Sequence, residues 1–278
     1  MKNILKIMLM MITIFTIAGS AVYAAEIPVS DQDQLITSSD WTEISNLQDE
    51  MKKEEPDATI DYDKALKVYV DCNLIKLQTA ETKKLTSALE SANYVWVIPF
   101  KMEKTYGMFT VAKGLPLREE AKSVLTKAEQ EEVKNHAGKW MITETAEHTV
   151  EPYYDILLEK REALSDCTRV VLVGSQPGMR QPVALGMDDE TARIWISLGY
   201  QYPVMEKIPE TQNVESGVYS FDSVAEISDT YIEDSEVSTG AGVQSRSSMK
   251  YVAGIGIIVI GSILILSVLK KKKLEDYE

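Results

Sequence analysis

The sequence predicts an α+β fold built on one mixed β-sheet, with about three helices in the ectodomain and a single C-terminal transmembrane helix beyond it. Three observations predict this. Between residues 60 and 203, short β-patterned runs alternate with stretches of helical spacing. Some of those runs are joined by tight polar turns and others by whole helices, so hairpins and crossovers share one sheet. Near the end of the chain, nineteen residues from Tyr251 to Leu269 contain no charged side chain.

The elements follow in order. "DWTEISNLQDEMKKEEP" reads as one short helix: Asp40 is placed to cap it, Glu43 is its reciprocal partner, and Trp41, Ile44, Leu47 and Met51 form an apolar stripe for docking on the core. "ALKVYVDC" alternates, with Leu66, Val68, Val70 and Cys72 on one side, as in a half-buried strand. In "TAETKKLTSALESA", Leu85, Ala88, Leu89 and Ala92 fall at helical spacing. "YVWVIPFK" and "YGMFTVAKG" form a hairpin about the turn Met102 to Thr105. Residues 116–136 are helical, restarting where Thr126 and Glu129 make a capping box and ending at Gly138. "KWMIT" is a short strand, and Pro152 opens a helix at a position that tolerates proline. "RVVLVG" is apolar throughout, as a central strand covered on both faces would be. "PVALGM" and "TARIWISL" follow as strands about the turn Asp188-Asp189-Glu190.

The two ends indicate the compartment. Lys2 and Lys6, an apolar run to Ile17 and the small-residue stretch ending Val22-Tyr23-Ala24 have the layout of a secretory leader cleaved before Ala25. At 1.5 Å per residue, the 251–269 stretch would span roughly 28 Å, the thickness of a bilayer core. Lys270 to Lys273 follow at once and place the C-terminus in the cytoplasm. The expected organisation is a signal peptide (1–24), an acidic segment with one short helix (25–59), an α+β extracytoplasmic domain (60–203), an acidic flexible stalk (204–250), a transmembrane helix (251–269) and a cytoplasmic tail (270–278). This plan resembles that of many bacterial cell-surface proteins.

Charge is uneven. The chain carries −14 overall, with −8 in 25–59, −3 in 60–203 and −6 in 204–250. Acidic flanks are wrong for nucleic acid, whose phosphates need a basic surface, and right for a solvated spacer. The partners expected are the membrane, through the single span, and an envelope protein or surface ligand.

Little in the chain reads as catalysis. His136 and His148 are its two histidines and belong to no metal-binding spacing, while Asp31-x-Asp33 and Asp61-x-Asp63 lack the rest of a calcium loop. No metal and no cofactor are expected. In "VLVGSQPGMRQPVALG", Ser175 lacks the flanking glycines of a hydrolase elbow, and a strand follows it where an elbow needs a helix. Pro177-Gly178 instead suits a type II turn between strands, leaving Ser175, Gln176, Arg180 and Gln181 as candidate ligand-binding residues at a strand end. Cys72 and Cys167 form an even pair in an oxidising compartment, so a disulfide between them is expected, with antiparallel neighbouring strands as its simplest setting. The functional expectation is a membrane-anchored extracytoplasmic binding or interaction protein. The alternative is an extracytoplasmic enzyme, such as a hydrolase, whose site no motif reveals.

Overall fold

In the computed structural model, residues 27–228 are described, apart from residues 175, 180 and 201 and the side chain of Glu120. The expected leader, the 229–250 part of the expected stalk, the apolar stretch 251–269 and the lysine-rich tail lie outside these residues.

The N-terminal segment holds helices α1 (Trp41–Ile44) and α2 (Gln48–Glu54), joined by a 3-10 turn, Ser45–Leu47. Strands β1 (Thr59–Ile60) and β2 (Leu66–Tyr69) lead to α3 (Thr82–Glu90) and then to the hairpin of β3 (Tyr94–Lys101) and β4 (Tyr106–Lys113). Helices α4 (Glu119–Lys122) and α5 (Lys127–His136) precede β5 (Trp140–His148), and α6 (Tyr153–Glu159) precedes β6 (Arg169–Val173). Strands β7 (Val183–Met187), β8 (Ala192–Ile196), β9 (Asn213–Glu215) and β10 (Val218–Ser220) follow. A last helix, α7, runs from 221 to 228, and the Ser220 hydroxyl accepts a hydrogen bond from the Ser223 amide at its start.

The fold is α+β around one mixed sheet of ten strands in the order β5-β4-β3-β2-β6-β7-β8-β10-β9, with β1 pairing β3 beyond the end of β2. Two antiparallel meanders, β2 to β5 and β6 to β8, meet at the centre through a parallel pair, Val68 opposite Leu172 and Tyr69 opposite Val173. That central contact is the only parallel one in the sheet of the described residues. The helices outnumber the three expected because the N-terminal segment holds two, the 116–136 stretch divides into α4 and α5, and α7 joins the folded unit.

Each face of the sheet has its own apolar layer. On one face, Leu66, Val68, Val170, Leu172, Ile194 and Ile196 pack under Tyr153 and Leu157 of α6. The other face is covered in two halves. Ile44 and Met51 of the N-terminal arm cover Trp96, Ile98, Phe100 and Phe109, while Leu85 and Leu89 of α3 pack with Val171, Val173, Leu185 and Trp195. Val204, Met205, Ile208, Phe221 and Val224 complete that second half, all buried. Residues 204–228 were expected to begin the flexible stalk, and the structure corrects this. Their apolar side chains are too widely spaced to show a period in sequence, yet they close the edge beyond β8.

Candidate functional site

The connection between β6 and β7 is the turn expected from Pro177 and Gly178. The Met179 amide donates to the Gln176 carbonyl (2.9 Å), and Gly178 takes φ 71°. Of the four candidate ligand residues, Ser175 and Arg180 lie outside the described residues. Gln181 is exposed and Gln176 is buried. The Gln176 amide donates to the carbonyls of Cys72 (2.6 Å) and Gly174 (2.9 Å) and accepts from the Leu74 amide (2.9 Å). It therefore staples the loop after β2 to the end of β6. Gln176 and Gln181 point to opposite environments and do not converge.

The two cysteines are free, both buried, and in different core layers. Because β2 and β6 run parallel, Cys72 lies past the end of one strand and Cys167 before the start of the other. From the level of Tyr69 and Val173, Cys167 is six residues back, roughly 20 Å at strand rise. A disulfide needs Cα atoms within about 7 Å, so the expected bond is excluded. Burial pushes both thiols up to about 11. Each is a small hydrophobe.

Sequence reading missed a polar seam between the two halves of the arm-covered face. Asp33, 2% exposed, accepts hydrogen bonds from Ser30 Oγ (2.6 Å), Tyr69 Oη (2.8 Å) and Arg169 Nη2 (2.9 Å). Lys67 Nζ lies 3.9 Å from Asp33, 4.5 Å from the centroid of the Tyr94 ring and 5.2 Å from that of Trp96. Burial lowers the lysine's pKa, against the pull of Asp33 and Asp40. Asp40 does not cap α1. Its carboxylate instead accepts from Tyr94 Oη (2.8 Å) and Trp96 Nε1 (3.0 Å). The reason is competition: two donors on the sheet, Trp96 buried and Tyr94 half-buried, need an acceptor more than a helix end open to water does. These groups satisfy one another and fasten the N-terminal arm to the sheet.

A second cluster gathers at the end of β5. Tyr200 Oη lies 3.2 Å from His148 Nδ1, and the Tyr153 ring stands edge-on to the Tyr200 ring, with centroids 6.5 Å apart. Burial lowers the His148 pKa, while the Glu144 charge opposes that shift. The neutral imidazole is thereby favoured, with Nδ1 free to accept from the tyrosine.

The third feature is an excursion between β4 and β5. Its ends are tied: the Gly114 amide donates to the Lys139 carbonyl (2.9 Å) and the Gly138 amide to the Gly114 carbonyl (2.8 Å). A Cβ on Gly114 would sit 2.1 Å from the His136 carbonyl oxygen, so this neck needs glycine. The expected capping box is present, Glu129 N–H to Thr126 Oγ1 and Thr126 N–H to Glu129 Oε2, and Gly138 takes φ 75° after the helix. No described side chain from 115 to 139 is buried, and Leu115 and Val124 are 43% and 77% exposed. The excursion is an ordered arm standing off the sheet. It delivers the chain to β5, the terminal strand, which pairs with β4 and, among the described residues, with no strand on its other side.

Among the described residues, no group of three or more His, Cys, Asp or Glu side chains could hold a metal ion, and no helix is long and apolar enough to cross a membrane. No protein-family model, no curated protein and no solved structure matches the chain.

Proposed function

We propose that the chain is a single-pass, membrane-anchored protein whose extracytoplasmic domain binds an envelope protein or surface ligand through the face formed by the 114–139 arm and β5. The carrying observation is the arm. Ordering each residue costs roughly 1–2 kcal/mol, which elements of a core recover by burying apolar side chains. The arm buries none and is held by its neck and its capping box. It adds surface and no core, as a contact element does. The membrane reading draws support from the leader-like start, the uncharged 251–269 stretch and Lys270 to Lys273.

Two measurements test the proposal. In the full-length chain, a photo-crosslinking residue at Val124 should trap partners in intact cells, whereas one at Lys83, on the exposed side of α3, should not. Equal trapping at both positions would remove the arm's special role. With the native thiols buried, a membrane-impermeant thiol reagent should label a Ser238→Cys variant in intact cells and leave Leu274→Cys unlabelled. Labelling of the second alone would invert the topology.

The enzyme reading rests on the Tyr200–His148 hydrogen bond with the Glu144 charge acting on the imidazole, since a neutral half-buried histidine can take a proton. Ester or amide hydrolysis by the full chain, abolished in His148→Gln, would favour it over binding.

A further inference from the structure

We infer that the outer edge of β5 accepts an added β-strand from a basic, extended peptide segment, an inference that rests on reading this face as the binding face. A terminal strand presents a row of main-chain N–H and C=O groups, and natural sheets guard such rows with lysine, proline or a bulge. At nine residues, roughly 30 Å long, β5 is a long edge. It has a bulge: Thr110 faces Glu144 and Val111 faces Ile142, leaving Thr143 extra, its hydroxyl turned back to the Thr110 carbonyl at 3.1 Å. Beyond the bulge, residues 144–148 form a regular run ending opposite Tyr106.

The charge on that run selects the occupant. From 140 to 151 there are three acids, Glu144, Glu147 and Glu151, and no lysine, arginine or proline. Strand alternation places Glu144 on the face of His148, and Glu147 on the face of Thr145, whose hydroxyl donates to Glu54 Oε2 at 2.6 Å. Both faces of an added strand would therefore meet carboxylates. Of the nearby bases, Lys113 and Lys139 lie at the other end of β5, beside Trp140, while Lys101, at the acidic end, sits over the Tyr106 ring and belongs to β3, two strands in from the edge. A second copy joining edge to edge would bring together two acidic runs with no lysine or arginine in either, so the charges on the two strands would repel. A segment with bases on both of its faces meets complementary charge, and main-chain hydrogen bonds supply the geometry.

The test uses the full-length chain in detergent and a fluorescein-labelled peptide, Thr-Lys-Val-Lys-Lys-Val-Lys-Thr. Fluorescence anisotropy should show saturable binding, and hydrogen exchange should slow in 144–148 when the peptide is present. The same peptide N-methylated at alternate residues should not bind, because strand addition needs its N–H groups. An E144Q/E147Q variant, checked for unchanged circular dichroism, should bind about tenfold more weakly. Equal binding of the N-methylated peptide, or protection elsewhere than β5, would reduce the effect to general charge attraction and overturn the inference. No binding at all would also overturn it, while crosslinking at Val124 would leave the arm's role standing.

Discussion

Asp33 is the point at which the N-terminal arm and the centre of the sheet are joined, through Tyr69 of β2 and Arg169 of β6. Removing one partner of a buried pair leaves the other charge uncompensated, so Asp33→Ala should cost about 3–5 kcal/mol in urea unfolding. An effect below about 1 kcal/mol would show that the arm is held by its apolar contacts alone. The buried thiols make a separate statement. With pKa values pushed up to about 11, roughly one thiol in a thousand is ionised at pH 8. The folded chain should react with a thiol reagent only after denaturation, and a reductant should leave its melting temperature unchanged. His148 sets a pH dependence. Its folded pKa is below the unfolded value, so the unfolded chain binds the proton first. Stability from this group is complete above about pH 6.5 and is lost as pH falls through that value toward the folded pKa. Melting temperatures measured from pH 7.5 down to pH 5 should decline, and His148→Gln should flatten part of the slope.

At the scale of elements, the arm and the sheet should respond independently. Thr126 supplies both halves of the capping box with Glu129, and losing such a cap costs a helix about 1 kcal/mol. Because α5 buries no side chain, Thr126→Ala should raise hydrogen exchange in 127–136 and leave global unfolding unchanged. A matching fall in global stability would mean that the arm is packed on the body. The contrast with α3 is instructive. Leu85 and Leu89 are fully buried there, so that helix and the sheet beneath it belong to one cooperative unit.

For the whole molecule, the decisive stretch is 204–228. Chains truncated after Pro203 lose β9, β10 and α7, and with them Val204, Met205, Ile208, Val218, Phe221 and Val224 from the core. That truncation also bares the edge of β8 and one side of Trp195, which stacks on Phe221 at 5.7 Å. A chain ending at 203 should therefore aggregate or melt at much lower temperature than one ending at 228, as read by thermal unfolding and size-exclusion chromatography. Equal stability of the two would return residues 204–228 to the role of a spacer.

The order of strands and helices from 66 to 196, the β3–β4 hairpin, the turn at Pro177-Gly178 and the Thr126–Glu129 box were legible in the sequence. Each depends on neighbours a few residues apart, and local periodicity and turn chemistry report such contacts directly. The sequence by itself also determined the uneven charge and the uncharged stretch near its end. Only the tertiary structure decided what depends on partners far along the chain. Asp40 turned from a helix cap to Tyr94 and Trp96, 54 and 56 residues away, and Asp33 met Arg169 across 136 residues. The parallel pairing of β2 with β6 separated two cysteines that parity had suggested were bonded. The same strand order left β5 at the rim with its glutamates outward. Position in a sheet is set by which strands pair, and pairing is a property of the packed whole that no local window contains.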